Sequence, residues 1–141
     1  MRQVMRGMRV QSARTTESET PLKLPYEAEG KEGSIRWYAH GYHQWMLEMN
    51  YSLHTIKNQR CFFGKFLKWC DERGVEKPGE VSQELIERYQ RSLYHVTDDE
   101  TGEHLSVNTQ RVVGMAIHGF FRWMKKRGHL RNNPAADIEL P

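Results

Sequence analysis

The residues best equipped for chemistry in this sequence are cations set at helical spacing. Within residues 105–132, Arg111, His118, Arg122 and Lys125 fall three, four or seven apart, and Lys126, Arg127 and Arg131 add to them without any acid. Within 54–75, Lys57, Cys61, Lys65 and Lys68 repeat that spacing, with Arg60 and Arg73 as further bases against Asp71 and Glu72. The stretch between is acidic: Glu76, Glu80, Glu84, Glu87, Asp98, Asp99, Glu100 and Glu103 outnumber Lys77, Arg88 and Arg91. A formal net charge of +3 therefore conceals two cationic segments flanking an anionic one. Cations along one helix face can neutralise phosphates, and a DNA major groove is wide enough to admit a helix. Asn58, Gln59, Asn108 and Gln110 add amides suited to adenine edges or phosphates. Charge alone leaves a second reading open, because surface helices commonly show charged faces to water.

Other chemistry finds little support. His40 and His43 share a helix face, but no carboxylate or thiol stands at a spacing that would complete a metal site. Glu84, Glu87 and the run 98–100 read as solvated surface rather than as an acid–base pair. There is no Gly-rich phosphate loop, no CxxC and no GxSxG, so neither a cofactor, a metal nor an enzymatic activity is expected of this segment. Cys61 and Cys70 both fall in an apolar-periodic stretch. Nine residues of helix span about 13 Å, too far for a disulfide, so both are expected as buried thiols in a reducing compartment. No apolar run approaches the roughly 18–20 residues that cross a bilayer, and the charged N-terminus lacks the core of a secretory signal. These features suggest a cytoplasmic protein with no membrane partner.

The cationic faces require helices to carry them, and the apolar periodicity supplies four. The first runs over 34–50 with Ile35, Tyr38, Tyr42, Trp45, Met46 and Met49 inward. The second opens at Ser52, with Tyr51 and Ile56 placed as a hydrophobic staple, buries Ile56, Phe63, Phe66, Leu67 and Cys70, and ends at Gly74. The third starts at Ser82 with Val81 and Ile86 as its staple. A polar loop over 97–104 leads to the fourth, from Ser106 to Gly128, whose stripe is Val113, Ala116, Ile117, Phe120, Phe121 and Met124. Trp69 and Trp123 lie near these stripes and are expected to pack rather than to stack on bases. Gly114 and Gly119 sit inside the fourth helix at a cost of about 1 kcal/mol each relative to alanine, either for approach to DNA or for approach of a neighbouring helix. At 141 residues and 38% apolar content, this is one all-α bundle of four or five helices. Residues 1–33 lack periodicity and are expected as a disordered or loosely ordered arm, with Arg2, Arg6 and Arg9 at its tip and Glu17, Glu19, Glu27, Glu29 and Glu32 behind. The ending HLRNNPAADIELP reads as a connector that packs against nothing, and residues 133–141 are assigned to a linker.

An ordered set of residues narrows this further. Ser52 and Thr55 open one helix; Thr109, Ala116, Phe120, Phe121 and Trp123 mark a later one; a basic, Gly-containing turn and Asn133-Pro134-Ala135 follow. Across roughly 34–141 the sequence resembles the N-terminal core-binding (SAM-like) domain of tyrosine recombinases, the phage integrase family, and in particular its Xer-like members. The resemblance implies an orthogonal helical bundle over 34–132 that grips one side of double-stranded DNA while a catalytic domain closes from the other. It implies strand cleavage by a tyrosine aided by an Arg, a His-x-x-Arg and a Lys in that second domain, with further recombinase subunits assembling on DNA. That catalytic set is absent here in order, and His118 and Arg122 are four apart rather than three. The pattern is departed from at Gln59, where an aromatic is usual, and at Cys61 and Val113, where a base is usual.

Together these readings predict a DNA-binding clamp that holds one recombination half-site. Lys57, Arg60, Lys65, Arg111, Arg122 and Lys125 are expected on phosphates, and Ser52, Thr55, Asn58, Asn108, Thr109 and His118 on bases or phosphates. The competing expectation is a helical protein-interaction module with solvated basic faces.

Overall fold

A computed structural model describes residues 22–97 and 100–141. The basic tip at Arg2, Arg6 and Arg9, the acids Glu17 and Glu19, and the loop residues Asp98 and Asp99 lie outside the described residues. The rest is all-helical: α1 (Ile35–Glu48), α2 (Leu53–Asp71), a 3₁₀ turn (Pro78–Glu80), α3 (Gln83–Leu93) and α4 (Val107–Lys126). Each α-helix opens on a serine whose side chain accepts a backbone N–H of the first turn: Ser34 from Trp37, Ser52 from Thr55, Ser82 from Leu85 and Ser106 from Thr109. Such caps satisfy donors that the helix itself leaves unpaired, at about 1 kcal/mol each. Gly74 and Gly128 follow α2 and α4 at φ of 72° and 78°, the left-handed conformation that favours glycine, and Asn50 takes it at 72° after α1. An isolated antiparallel bridge between Thr97 and His104 pinches the loop before α4.

The buried stripes of α2 and α4 are those expected, with Gly114 added on α4. They meet where Phe63 packs at 4.6 Å against Phe120, with Phe121 edge-on to Phe120 at 4.9 Å and Phe66 against Phe63 at 5.7 Å. All four rings are withdrawn from water. Tyr42 brings α1 to the same centre, edge-on to Phe120 at 5.9 Å, and Tyr89 brings α3, edge-on to Phe66 at 5.0 Å. Truncating Phe63 or Phe120 to alanine would cost about 3–5 kcal/mol. Trp69 and Trp123 pack as expected, against Tyr89 and Tyr42 respectively.

Several expectations require correction. Met49 is 58% exposed, and the inward face of α1 instead includes Ala39, His43 and Leu47. Tyr51 is exposed, with its ring 6.5 Å from that of Trp45. Cys61 is exposed and only Cys70 is buried, because Cys61 lies on the outer face with Lys57 and Lys65. The described part of the arm is attached: Leu24 is 8% exposed, its N–H donates to Gln44 Oε1 at 3.1 Å, and Gln44 Nε2 donates to the Leu22 carbonyl at 2.7 Å. The C-terminal stretch also packs. Ala135 is 0% and Ile138 8% exposed, Gln90 Nε2 donates to the Glu139 carbonyl, and Arg111 Nε donates to the Pro141 carbonyl.

Both glycines inside α4 answer to packing. A Cβ on Gly114 would stand 2.6 Å from Leu140 Cδ2, and one on Gly119 would stand 2.6 Å from Tyr42 Oη. Gly119 thus lets α1 and α4 close on each other, with burial pushing the Tyr42 phenol up to about 12 so that it packs as a neutral ring. Gly119→Ala is expected to lower stability by about 1–2 kcal/mol, overpacking outweighing the gain in helix propensity. Adding Tyr42→Phe removes the clashing oxygen and should recover most of the loss in urea denaturation. Equal losses with and without Tyr42→Phe would contradict this origin.

Candidate nucleic-acid interface

The core geometry decides which cations face outward. With Phe120 and Met124 inward, Arg122 and Lys125 point to solvent and His118 is half-buried beside them. With Phe63 and Phe66 inward, Lys57, Lys65 and Lys68 point to solvent. The ion pairs among the described residues involve Arg36, Arg60 and Arg73, and none engages Lys57, Lys65, Lys68, Arg122 or Lys125. Those five carry charge with which no carboxylate of the described fold pairs.

The remaining expected site residues divide into groups. Ser52 and Ser106 are caps, and each also donates through its hydroxyl to a threonine hydroxyl, Thr55 and Thr109, at 3.0 Å. This pairing ties up much of the hydrogen-bonding capacity assigned to bases or phosphates, although Ser52 and Ser106 remain exposed. Asn58 is exposed one turn after His54, its amide 3.4 Å from the ring nitrogen, and Asn108 is exposed in the first turn of α4. Lys65, Lys68 and Glu72 line a groove of about 310 Å³ together with Leu105 and with Thr109 and Val113 of α4, whose own cations lie outside it. Val113 forms the floor of that groove as a buried side chain, where the family pattern usually has a base.

Two expected phosphate contacts are already engaged. Arg111 is held by the Pro141 carbonyl at 2.8 Å. Arg60 pairs with Glu29 at 3.3 Å and lies 4.1 Å over the Tyr26 ring, in a cavity of about 250 Å³ that also contains Lys57, His40 and His43. Sequence reasoning missed Arg36 altogether, since a single Arg on its helix gives no periodic sign of its partners. It also left out Lys68, which the spacing from Lys65 and Lys57 did reveal. Among the described residues no three His, Cys, Asp or Glu side chains gather as a metal site, and no helix is long and apolar enough to cross a membrane.

The comparisons with known proteins bear on this arrangement. No family model matches the sequence. The chain is 30% identical over 104 residues to tyrosine recombinase XerC 2 of Ralstonia nicotianae, a match covering 74% of this chain and 30% of that protein. It is 30% identical over 95 residues to tyrosine recombinase XerC of Xylella fastidiosa, covering 67% of this chain and 30% of the relative. The chain carries a domain of the tyrosine recombinase/integrase family. Its fold is similar to part of the integrase of mycobacterium phage Brujita, with a TM-score of 0.57 at 22% identity over 73% of this chain and 31% of that one. This recombinase-family domain thus spans under a third of the length of the relatives it matches.

His43 gives the domain a measurable pH response. Burial holds its imidazole down to about 4, with Arg60 and His40 nearby adding to the effect. The unfolded chain would titrate near the ordinary value of about 6.5 and so binds more protons between these limits. Stability should be fully present above pH 6.5, fall by about 3 kcal/mol as pH drops towards 4, and level off below. Urea denaturation of His43→Phe should show a shallower fall across that window, and an identical slope would contradict the assignment.

Proposed function

We propose that this domain is a DNA-binding clamp that holds one half-site for a site-specific recombinase. The observation carrying the reading is the set of outward cations on α2 and α4, left without carboxylate partners in the described fold, on a domain of the recombinase family. Lys57, Lys65, Lys68, Arg122 and Lys125 supply phosphate contacts that position the duplex without reading its sequence. Asn58, Asn108, His118 and the hydroxyls of Ser52, Thr55, Ser106 and Thr109 are the groups available for closer contact. Within 76–104 acids outnumber bases and the field opposes a duplex there, although α3 itself is balanced, Glu84 and Glu87 against Arg88 and Arg91. Residues 34–132 form the clamp, residues 133–141 lead towards the remainder of a longer recombinase, and the tyrosine chemistry belongs to that remainder. Further recombinase subunits join on the DNA.

The rival reading, a protein-interaction module, draws on the exposed Met49, Tyr51 and Leu53 at the α1–α2 turn. Duplex titrations separate the two. If each of these five cations neutralises one phosphate, log affinity should fall against log salt with a slope of about −4.5, from a dissociation constant of about 10⁻⁴–10⁻⁶ M for the isolated domain. Arg122→Glu with Lys125→Glu should weaken binding and shrink that slope by about one for each phosphate no longer neutralised. Absence of binding at low salt would overturn the clamp; unchanged binding in the double variant would show that another face meets DNA.

A further inference from the structure

Arg36 of α1 and Arg60 of α2 come from different helices and converge on one carboxylate. Glu29 Oε2 lies 3.3 Å from Arg60 and Oε1 lies 3.7 Å from Arg36, so its two oxygens are divided between two guanidinium groups. Arg36 is also steadied by Asp71, and Arg60 by the face of Tyr26. Lys57 lines the same cavity, as does Glu27, whose carboxylate offsets part of its charge. This is the arrangement that recognises an oxyanion: fixed planar donors approaching from two sides, with a third cation nearby. We propose that it is an anion site for a DNA backbone phosphate, and that Glu29 occupies it from within the chain until the duplex displaces it. The inference rests on the DNA-binding reading and adds Arg36 to its contacts.

Exchange is feasible because the occupant is weakly held and its support lies elsewhere. The Glu29 side chain is 60% exposed and that of Arg60 43%, and exposed pairs of this kind contribute little to stability. The segment bearing Glu29 is anchored through Leu22 and Leu24 to Gln44, away from the carboxylate. Gly30 follows at φ 77° and turns the chain back towards Ser34, where a Cβ would stand 2.8 Å from the serine Oγ. The carboxylate can therefore swing out while the strap that carries it stays docked.

The test is a binding cycle with the 141-residue protein and a mixed-sequence duplex at low salt. Glu29→Gln should tighten binding about two- to fivefold, the scale of one exposed ion pair released. Glu84→Gln, which removes the same charge from α3, should tighten it less, and in an Arg60→Gln background the gain from Glu29→Gln should disappear. If Glu29→Gln gains no more than Glu84→Gln, or gains equally without Arg60, the exchange is wrong. Arg122→Gln run alongside keeps the two ideas separate: weaker binding there with no Glu29 effect leaves the clamp standing and removes only the anion site. No binding by any variant would remove both.

Discussion

The contact on which the domain depends is the packing of Phe63 on Phe120 at the crossing of α2 and α4. It fixes the rotation of each helix about its own axis. Once those rings point inward, helical spacing leaves no choice for the charged residues: Lys57, Lys65 and Lys68 must face out from α2, and Arg122 and Lys125 from α4. Rotating either helix enough to bury a lysine would cost several kcal/mol twice over, in aromatic burial forgone and in desolvated charge. The hydrophobic core therefore acts as the positioning device for the electrostatics. Tyr42 and Tyr89 extend it to α1 and α3, so all four helices are referenced to one aromatic centre.

Charge is distributed in the same spirit. The domain is nearly balanced as a whole, yet its acids are concentrated on the stretches flanking α3 within 76–104 and on the strap over 27–32, while its bases gather on α2 and α4. Segregation of this kind produces a directional field from a small net charge. Where acid and base do meet, at Arg36, Arg60 and Glu29, the pairing is exposed and weak. The flanks of the chain touch the cationic set at both ends, through Glu29 on Arg60 and the Pro141 carbonyl on Arg111.

How much of this was legible in the sequence follows from how local each feature is. The stripes of α2 and α4 can be read because about five turns of consistent spacing leave one face apolar, and the serine caps because they sit immediately before those stripes. The outward lysines and arginines come with them. The flanks are not legible: Leu24, Ala135 and Ile138 lie in short segments without helical periodicity, and their burial depends on surfaces distant in sequence. Gly114 and Gly119 are recognisable as costly, but whether they face DNA or protein turns on Leu140 and Tyr42, which no spacing rule connects to them. Cys61 is misplaced when both cysteines are treated as apolar, since one falls on the lysine face. Arg60 and Arg111 stand out for charge alone, and their partners on the flanks are invisible for the same reason that the flanks are.

The central claim is that the outer faces of α2 and α4 meet the DNA. Backbone amide chemical-shift mapping on the ¹⁵N-labelled domain, titrated with a short duplex at low salt, tests it most directly. The account predicts that the largest shifts cluster at Lys57, Lys65, Lys68, Arg122 and Lys125, with Glu84 and Glu87 of α3 unmoved. Shifts centred on α3, or on the α1–α2 turn around Met49 and Tyr51, would contradict it.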